Sequence, residues 1–451
     1  MRGPSIITVG ALLVLGACAS ARVSNNGADD DGTGDVDARS ITDPDARPPD
    51  GGTPLTDPVL EALTFECKLI NDRNLDDPSA NDTHQRVNLR GTDLGIPVAH
   101  GSDLYFFFGD TAGDQVIWPM GPESLPDAVG YANATAAQVA ADPGVLCSQL
   151  RFLKVSGASG TADADFAGTW MAPPSGQNIN QFVRNPAGPR GQNAFPNMPG
   201  DFEVPTGAFS YNGSIYVFYS TVNVDPLEMR GSYLAKWAAP SRTGLPTYDI
   251  LYQVDQRFTA NGPMRGDFIN IATVVQGDYV LMFGTGRYRQ SPVHLARKQL
   301  TTLGSPGGFE RYDAATGQWV AASAAAAPVV SDGLIGELSV RYFPSIGRFV
   351  MLDQEVSNGN RIVARFAAAA EGPWSDPVTV ALMTDPTFAA RHCCSGTDCP
   401  GERMIECEHA AFYGTYMLPS ATANTDGTFT IPFVVSTHIP YNVALMTATF
   451  R

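Results

Sequence analysis

Basic residues are scarce in this chain. Its 451 residues hold 29 Lys and Arg against 46 Asp and Glu, for a net charge of −17. So acidic a surface repels phosphate backbones and anionic headgroups, which argues against nucleic acid or a charged membrane face as partner. Histidine is scarcer still, with six. His84, His100, His294, His392, His409 and His438 supply no close metal-ligand pair on one helix, and His294, inside a strand-like run, reads as a packed residue. No Gly-rich phosphate loop leads into a helix, and no Gly-x-Ser-x-Gly sits in a strand–turn–helix setting. Helix-building stretches of Leu, Ala, Glu and Lys are few. Beyond the N-terminus no apolar run is long enough to cross a bilayer.

The N-terminus itself carries an address. Met1-Arg2 precede an apolar stretch from Ile6 to Leu15, and Leu15-Gly16-Ala17-Cys18 follows. A basic start, a short apolar region and small residues at the cut make a secretory signal. The Cys placed directly after the small residues makes it a lipobox, so residues 1–17 are the expected signal peptide and Cys18 the expected lipidation site. The other reading is an ordinary signal peptide with a chance Cys. Ala19 follows instead of Asp, which favours the outer membrane or cell surface of a bacterium over inner-membrane retention. Residues 18–57 hold the lipidated Cys and then Asp, Gly, Pro, Ser and Ala with almost no large apolar side chains, a composition that stays a flexible acidic linker. The lipid is then the chain's one membrane contact, and a monomer is expected.

Cysteine usage agrees with export. Besides Cys18 there are Cys67, Cys147, Cys393, Cys394, Cys399 and Cys407. An even count outside the cytoplasm favours disulfides. Cys67–Cys147 is the natural long-range pair, and the other four crowd one loop at 391–409. A zinc site there, joined by His392 or His409, is the lesser reading, because the spacing matches no zinc module.

Residues 58–451 are rich in Gly, Pro and aromatics, which points to an all-β domain with many turns. One unit recurs in it five times. An aromatic-rich strand follows a turn at Gly101-Ser-Asp-Leu-Tyr-Phe-Phe-Phe, Asn212-Gly-Ser-Ile-Tyr-Val-Phe-Tyr, Gln276-Gly-Asp-Tyr-Val-Leu-Met-Phe, Ile346-Gly-Arg-Phe-Val-Met-Leu and Asp426-Gly-Thr-Phe-Thr-Ile-Pro-Phe. Another strand-like run precedes each, at 93–99, 204–210, 268–275, 337–343 and 413–418. After most comes a third run with a central Ala: Tyr233-Leu-Ala-Lys, His294-Leu-Ala-Arg, Ile362-Val-Ala-Arg and Asn442-Val-Ala-Leu. Five such units predict a five-bladed β-propeller. The run 57–70 is a candidate to add a strand to the last blade and close the ring. Blade one is expected to make a long excursion at 112–145 before outer strands near 146–155, and 156–203 reads as irregular.

First strands of blades line a central channel, so their polar residues stand out: Asp93, Thr206, Asn270, Glu337, and Tyr413 or Thr415. They either satisfy one another or bind substrate, and for a carboxylate such as Glu337 burial without purpose is costly. Asp93 and Asp110 flank the first hairpin, which would bring both to one end of it. Two carboxylates so held are what glycoside hydrolysis needs, one to give a proton and one to attack or to activate water. The competing reading is that each caps a turn through its own backbone.

Several segments resemble the bacterial family called domain of unknown function 4185: Gly91-Thr-Asp-Leu-Gly-Ile-Pro, Phe108-Gly-Asp-Thr, Pro205-Thr-Gly, Gly284-Thr-Gly-Arg, Glu337-Leu-Ser-Val-Arg-Tyr, and Tyr413-Gly-Thr-Tyr-Met-Leu-Pro through Tyr441-Asn-Val-Ala-Leu-Met. The resemblance covers most of 85–451. It implies a five-bladed propeller related to furanoside-cleaving hydrolases, some of them endo-D-arabinanases with two blade-one aspartates as the proposed catalytic pair. Asp93 and Asp110 match that pair by motif and spacing. The resulting expectation is a cell-surface glycoside hydrolase acting on a furanoside polysaccharide, D-arabinan foremost. Asp110, after three Phe residues, is the candidate proton donor and Asp93 the nucleophile or base, with the reverse assignment open. Glu337 is the third catalytic candidate. Thr206, Asn270, Arg287, Arg341, Trp118 and Trp170 are candidate substrate ligands, each Arg equally a structural partner and each Trp equally a packing residue. No cofactor is required, and a structural calcium ion in the channel is the most a relative would add. A non-catalytic glycan-binding propeller and a structural lipoprotein that docks a partner protein are the rival readings.

Overall fold

The computed structural model describes residues 57–70, 79–87, 89, 91–111, 127–153, 183–184, 202–224, 226–243, 248–257, 263–357, 359–393, 412–437 and 441–451. The signal and linker calls with Cys18, the loop tryptophans Trp118 and Trp170, and Cys394, Cys399 and Cys407 lie outside these residues.

Strand β1 (Leu60–Lys68) comes first, and five antiparallel meanders follow. Meander one is β2 (Leu94–His100), β3 (Asp103–Asp110), β4 (Asp127–Ala132) and β5 (Leu150–Phe152). Meander two is β6 (Val183–Arg184), β7 (Phe202–Tyr211), β8 (Ser214–Val224), β9 (Leu227–Trp237) and β10 (Tyr248–Gln256), with β6 paired parallel to the outer edge of β10. Meander three holds β11 (Asn270–Gln276), β12 (Tyr279–Thr285) and β13 (Ser291–Gln299), extended by the hairpin β14 (Phe309–Asp313) and β15 (Gln318–Ala321). Meander four holds β16 (Val330–Phe343), β17 (Arg348–Glu355), β18 (Arg361–Ala367) and β19 (Val378–Ala381). Meander five holds β20 (Phe412–Met417), β21 (Thr422–Ala423), β22 (Phe429–Thr437) and β23 (Asn442–Phe450). A short pairing of β13 with β16 joins meanders three and four, so the strands form four hydrogen-bonded sheets.

The first strands of the meanders pack in a closed circuit: β2 against β7, β7 against β11, β11 against β16, β16 against β20, and β20 back against β2. β1 completes meander five by pairing along β23, from Leu60 opposite Phe450 to Lys68 opposite Ala444. The run 57–70 therefore closes the last meander, as its sequence suggested. The Cys67–Cys147 disulfide then ties β1 to meander one. Cys393 is also disulfide-bonded.

Both faces of each sheet are apolar because each packs on a neighbour. One buried cluster joins meanders one, two and five, another four and five, another two and three, and a fourth three and four. The Phe triplet shows the alternation. Phe106 and Phe108 turn to one face, their ring centroids 6.3 Å apart, and Phe108 meets Phe152. Phe107 turns to the other and meets Tyr248 of meander two. The small residue in each third run, Ala235, Ala296, Ala364 and Ala444, is buried in the middle of a third strand. The turn glycines that open the aromatic strands, Gly101, Gly213, Gly277, Gly347 and Gly427, all have positive φ, and a Cβ on any of them would touch nothing. Backbone conformation, not crowding, selects glycine there.

The excursion expected at 112–145 is partly regular. β4 starts at Asp127, and a helix at Ala136–Ala141 follows, capped by Thr135 and Gln138 in a reciprocal capping box. β4 is only six residues with Ala and Gly inside it, a weak strand signal that its neighbours complete.

Candidate functional site

Four of the five first strands break register along their length. The breaks lie between Leu94 and Ile96, Pro205 and Gly207, Ile335 and Leu338, and Tyr413 and Tyr416. A bulge re-aims the residue it holds, and these hold Thr206, Glu337 and Thr415. In β2 the bulge is strained: Leu94 has φ 66° and Gly95 φ 91°. Left-handed backbone is rare for Leu, and such outliers concentrate where position matters more than local stability. The residue this one positions is Asp93.

Asp93 is 1 % exposed. Its carbonyl accepts from the Gly109 amide at 3.1 Å, which places it opposite the residue before Asp110. Both aspartates therefore lie at the same end of the β2–β3 hairpin. Tyr413 of meander five donates its hydroxyl to Asp93 Oδ2 at 3.3 Å. A Cβ on Gly109 would stand 2.5 Å from Asp93 Oδ1, so only glycine fits beside that carboxylate. The Leu94 amide donates to Ser436 Oγ at 2.7 Å, a second tie to meander five.

Glu337, fully buried, joins the same group. Arg289 holds it in a fork, with Nε 3.2 Å from both carboxylate oxygens and Nη2 3.1 Å from Oε1. The guanidinium of Arg289 also lies over the Tyr413 ring, 5.5 Å from its centroid, and over Tyr288 at 5.1 Å. Burial alone would lower the Arg289 pKa, but the charge and hydrogen bond of Glu337, with Tyr288 and Tyr413, together outweigh it and the pKa rises. A continuous path thus runs Asp93–Tyr413–Arg289–Glu337 across meanders one, five, three and four.

Asp110 ends β3, and its carbonyl accepts from the Tyr441 hydroxyl at 2.8 Å. Directly across the β3–β4 ladder stands Asp127, and both are buried. Residues so opposed have Cβ atoms about 4.5–5.5 Å apart. Beyond Asp127 lies Tyr219, whose pKa is pushed well up by burial, then by Tyr248, Asp127 and Glu203, so its phenol keeps its proton.

The other sequence candidates divide. Asn270 opens β11 at 3 % exposure, and its Oδ1 has no hydrogen-bond partner. Arg287 is exposed on the loop that carries Arg289. Thr206 is 0 % exposed, and its hydroxyl donates to the Phe218 carbonyl at 3.3 Å within its own sheet. Arg341 is buried, donating to the Met417 carbonyl at 3.0 Å and the Pro97 carbonyl at 3.1 Å, so it pins meander four to meanders five and one. Sequence reading missed Arg289 and Asp127. Arg289 was signalled only as the second Arg of Gly286-Arg-Tyr-Arg, and Asp127, inside the expected excursion, carried no local signal.

His294 proves to be packed, against Phe268, with Arg311 donating to its Nδ1 at 3.1 Å. Burial pushes its pKa down to about 4 despite Asp267 nearby. A separate charged group sits on meander four: Asp353, fully buried, is 3.5 Å from Arg365, which also meets Asp332 at 2.8 Å, while Glu355 pairs with Arg361 at 2.5 Å. Among the described residues no three His, Cys, Asp or Glu side chains are grouped to hold a metal ion.

Comparison with known proteins gives a family and a fold. A candidate hydrolase from Bacteroides ovatus superposes with a TM-score of 0.50 at 13 % identity, over 81 % of this chain and 87 % of that one. The catalytic domain of the GH62 α-L-arabinofuranosidase of Coprinopsis cinerea gives a TM-score of 0.41 at 10 % identity, over 86 % and 98 %. An endo-arabinase from Bacteroides thetaiotaomicron gives 0.35 at 13 %, over 76 % and 89 %. The last two superpositions are too loose to bear on the fold. No curated protein matches. The sequence profile of the family described as domain of unknown function (DUF4185) matches residues 78–447, and the chain belongs to that family.

Proposed function

We propose that this protein is a glycoside hydrolase that cleaves furanoside linkages in a polysaccharide, D-arabinan foremost, on a five-bladed propeller whose blades are the five meanders. The observation that carries the reading is the pair Asp93 and Asp110, buried at one end of one hairpin, with Asp93 linked through Tyr413 and Arg289 to Glu337.

Asp93 suits the nucleophile or base. Tyr413 fixes Oδ2, and Gly109 leaves room beside Oδ1. Asp110, directly across the ladder from the buried Asp127, is assigned as the proton donor to the leaving oxygen. The developing oxocarbenium ion gains from the anionic Asp93, as in other carboxylate-pair glycosidases. Glu337 has both oxygens engaged by Arg289, so it is a positioning residue that orients Arg289 against Tyr413 rather than an acceptor for sugar hydroxyls. The unpartnered Asn270 Oδ1 is the acceptor offered to a sugar hydroxyl.

The same reading makes the chain an exported lipoprotein, held at the outer membrane or cell surface through Cys18. Metabolic labelling with a palmitate analogue tests this: label lost in Cys18→Ser supports the anchor, and label kept refutes it. For activity, the chain from residue 18 carrying Cys18→Ser is incubated with mycobacterial arabinogalactan and with plant L-arabinan, beside Asp93→Asn and Asp110→Asn. Oligosaccharide release by the parent, lost in both variants, is the expected result. Polymer binding without release, equal in all three proteins, would replace the hydrolase with a glycan-binding propeller.

A further inference from the structure

The two aspartates of the proposed pair stand where the regular ladders give out. The β2–β3 register begins with Leu94 opposite Phe108, so Asp93 precedes it. On its other edge β3 breaks register with β4 between Phe107 and Asp110. A backbone bond from the Gly109 amide to the Asp93 carbonyl, at 3.1 Å, reaches past the ladder. Next to each aspartate is a threonine, Thr92 before Asp93 and Thr111 after Asp110, and both are fully buried.

The two hydroxyls meet. Thr92 Oγ1 lies 2.8 Å from Thr111 Oγ1. Thr111 donates to the Gly109 carbonyl at 2.7 Å, which leaves Thr92 to donate to Thr111, with the Gly109 carbonyl a more distant acceptor at 3.3 Å. Each hydroxyl has one proton to give, and this order uses both. Tyr441 spans the same joint. Its ring carbon Cδ1 stands 2.7 Å from where a Cβ on Gly91 would lie, and its hydroxyl donates to the Asp110 carbonyl at 2.8 Å. Side chains thus join residues 91–93 to 109–111 where strand pairing is irregular.

We infer that Thr92 and Thr111 are positioning residues for the carboxylate pair, a clasp whose length sets the spacing of Asp93 and Asp110. This rests on the hydrolase reading above and adds to it what holds the pair at its working distance. Spacing matters because it separates direct attack by a carboxylate from activation of a water. A 2.8 Å contact between the two side chains exists only as a hydrogen bond. A methyl in place of either hydroxyl needs about 3.5 Å, so Thr111→Val forces the joint open by about 0.7 Å. Misplacing reacting groups by about 1 Å slows catalysis by about 100-fold.

The test is steady-state hydrolysis of the polymer that the Cys18→Ser parent cleaves, with Thr92→Val, Thr111→Val, Thr111→Ala and Thr111→Ser made in that parent. In either Val variant kcat should fall by about 10–100-fold with KM within about twofold of the parent. Thr111→Ser keeps the hydroxyl and should hold kcat within about threefold. Combining the two Val substitutions should add little, because one contact is broken in each case. The basic limb of the kcat–pH profile should move to lower pH in Thr111→Val, since a more distant carboxylate raises the donor's pKa less. A packing role alone would lower the urea midpoint and leave that limb in place. Should Thr111→Val not fold, Thr111→Ala, which removes the hydroxyl without crowding Thr92, should still lower kcat by about tenfold. Parental kcat in the variants lacking the hydroxyl, an equal loss in Thr111→Ser, or an unmoved basic limb in Thr111→Val overturns the clasp and leaves the hydrolase reading standing. No hydrolysis by the parent overturns both.

Discussion

Asp353 allows a calculation that can be checked in a test tube. It is 0 % exposed on β17, and burial pushes its pKa up to about 7, against the pull of Arg365 and with help from Glu355 and Asp332. In the unfolded chain the same group titrates near 3.8. The folded state therefore binds this proton more tightly. Between about pH 4 and pH 7 the native chain holds a proton that the unfolded chain has released, so this group's contribution to stability falls as pH rises through that window. Each unit is worth about 1.4 kcal/mol, and a shift of about three units gives a loss on the order of 4 kcal/mol above pH 7. Asp353→Asn cannot ionise and escapes the loss. Urea unfolding of parent and variant, followed by tryptophan fluorescence at pH 4.5, 6, 7 and 8, isolates the effect, because every other carboxylate titrates in both proteins. Whatever the offset at pH 4.5, the variant should gain on the parent with rising pH and level off above about pH 7. A gap that stays constant or narrows over that range would refute the reasoning.

Three further outcomes are expected. Gly109→Ala places a methyl within 2.5 Å of Asp93 Oδ1; arabinan hydrolysis should drop by about 100-fold, as misplacement of a reacting group by about 1 Å does, while circular dichroism stays that of the parent. Arg289→Gln strands the buried Glu337 charge and should cost about 3–5 kcal/mol in urea unfolding, with much of the loss recovered when Glu337→Gln is added; no recovery would mean that Arg289 acts through something other than Glu337. Replacing both Cys67 and Cys147 by Ser opens a link between residues 80 apart and should lower stability by about 4 kcal/mol on loop-entropy grounds, and an unchanged urea midpoint would show that β1 stays docked without its cross-link.

Local chemistry made much of this fold legible. The turn glycines before each aromatic strand need positive φ, and the strands they open pack on both faces, so the five aromatic runs could be read without knowing their neighbours. The strand at 60–68 was a candidate because Leu60, Leu63 and Phe65 punctuate it and it had no partner of its own. β4 was not, since Asp-Ala-Val-Gly-Tyr-Ala becomes a strand only when β3 and β5 flank it. At the site, Asp93, Asp110 and Glu337 stood out because a carboxylate among apolar residues needs a reason. Their partners did not. Nothing local separates Arg287 from Arg289 in Gly-Arg-Tyr-Arg; the φ of 49° at Arg289 and the position of Glu337 some fifty residues later decide it. Arg341 looked like a substrate ligand for the converse reason: the carbonyls of Met417 and Pro97 that occupy it belong to other meanders.

The pairing of β1 with β23 has a temporal meaning. Strand β1 pairs with a strand nearly four hundred residues later, so the circuit of meanders closes only when both are available. Tyr413, Tyr441 and Ser436, which engage Asp93, Asp110 and Leu94, arrive in that same final stretch. A chain lacking that stretch carries both aspartates without the Tyr413 hydroxyl on Asp93 and the Tyr441 hydroxyl on the Asp110 carbonyl. Closure of the circuit and completion of the contacts to Asp93 and Asp110 are one event.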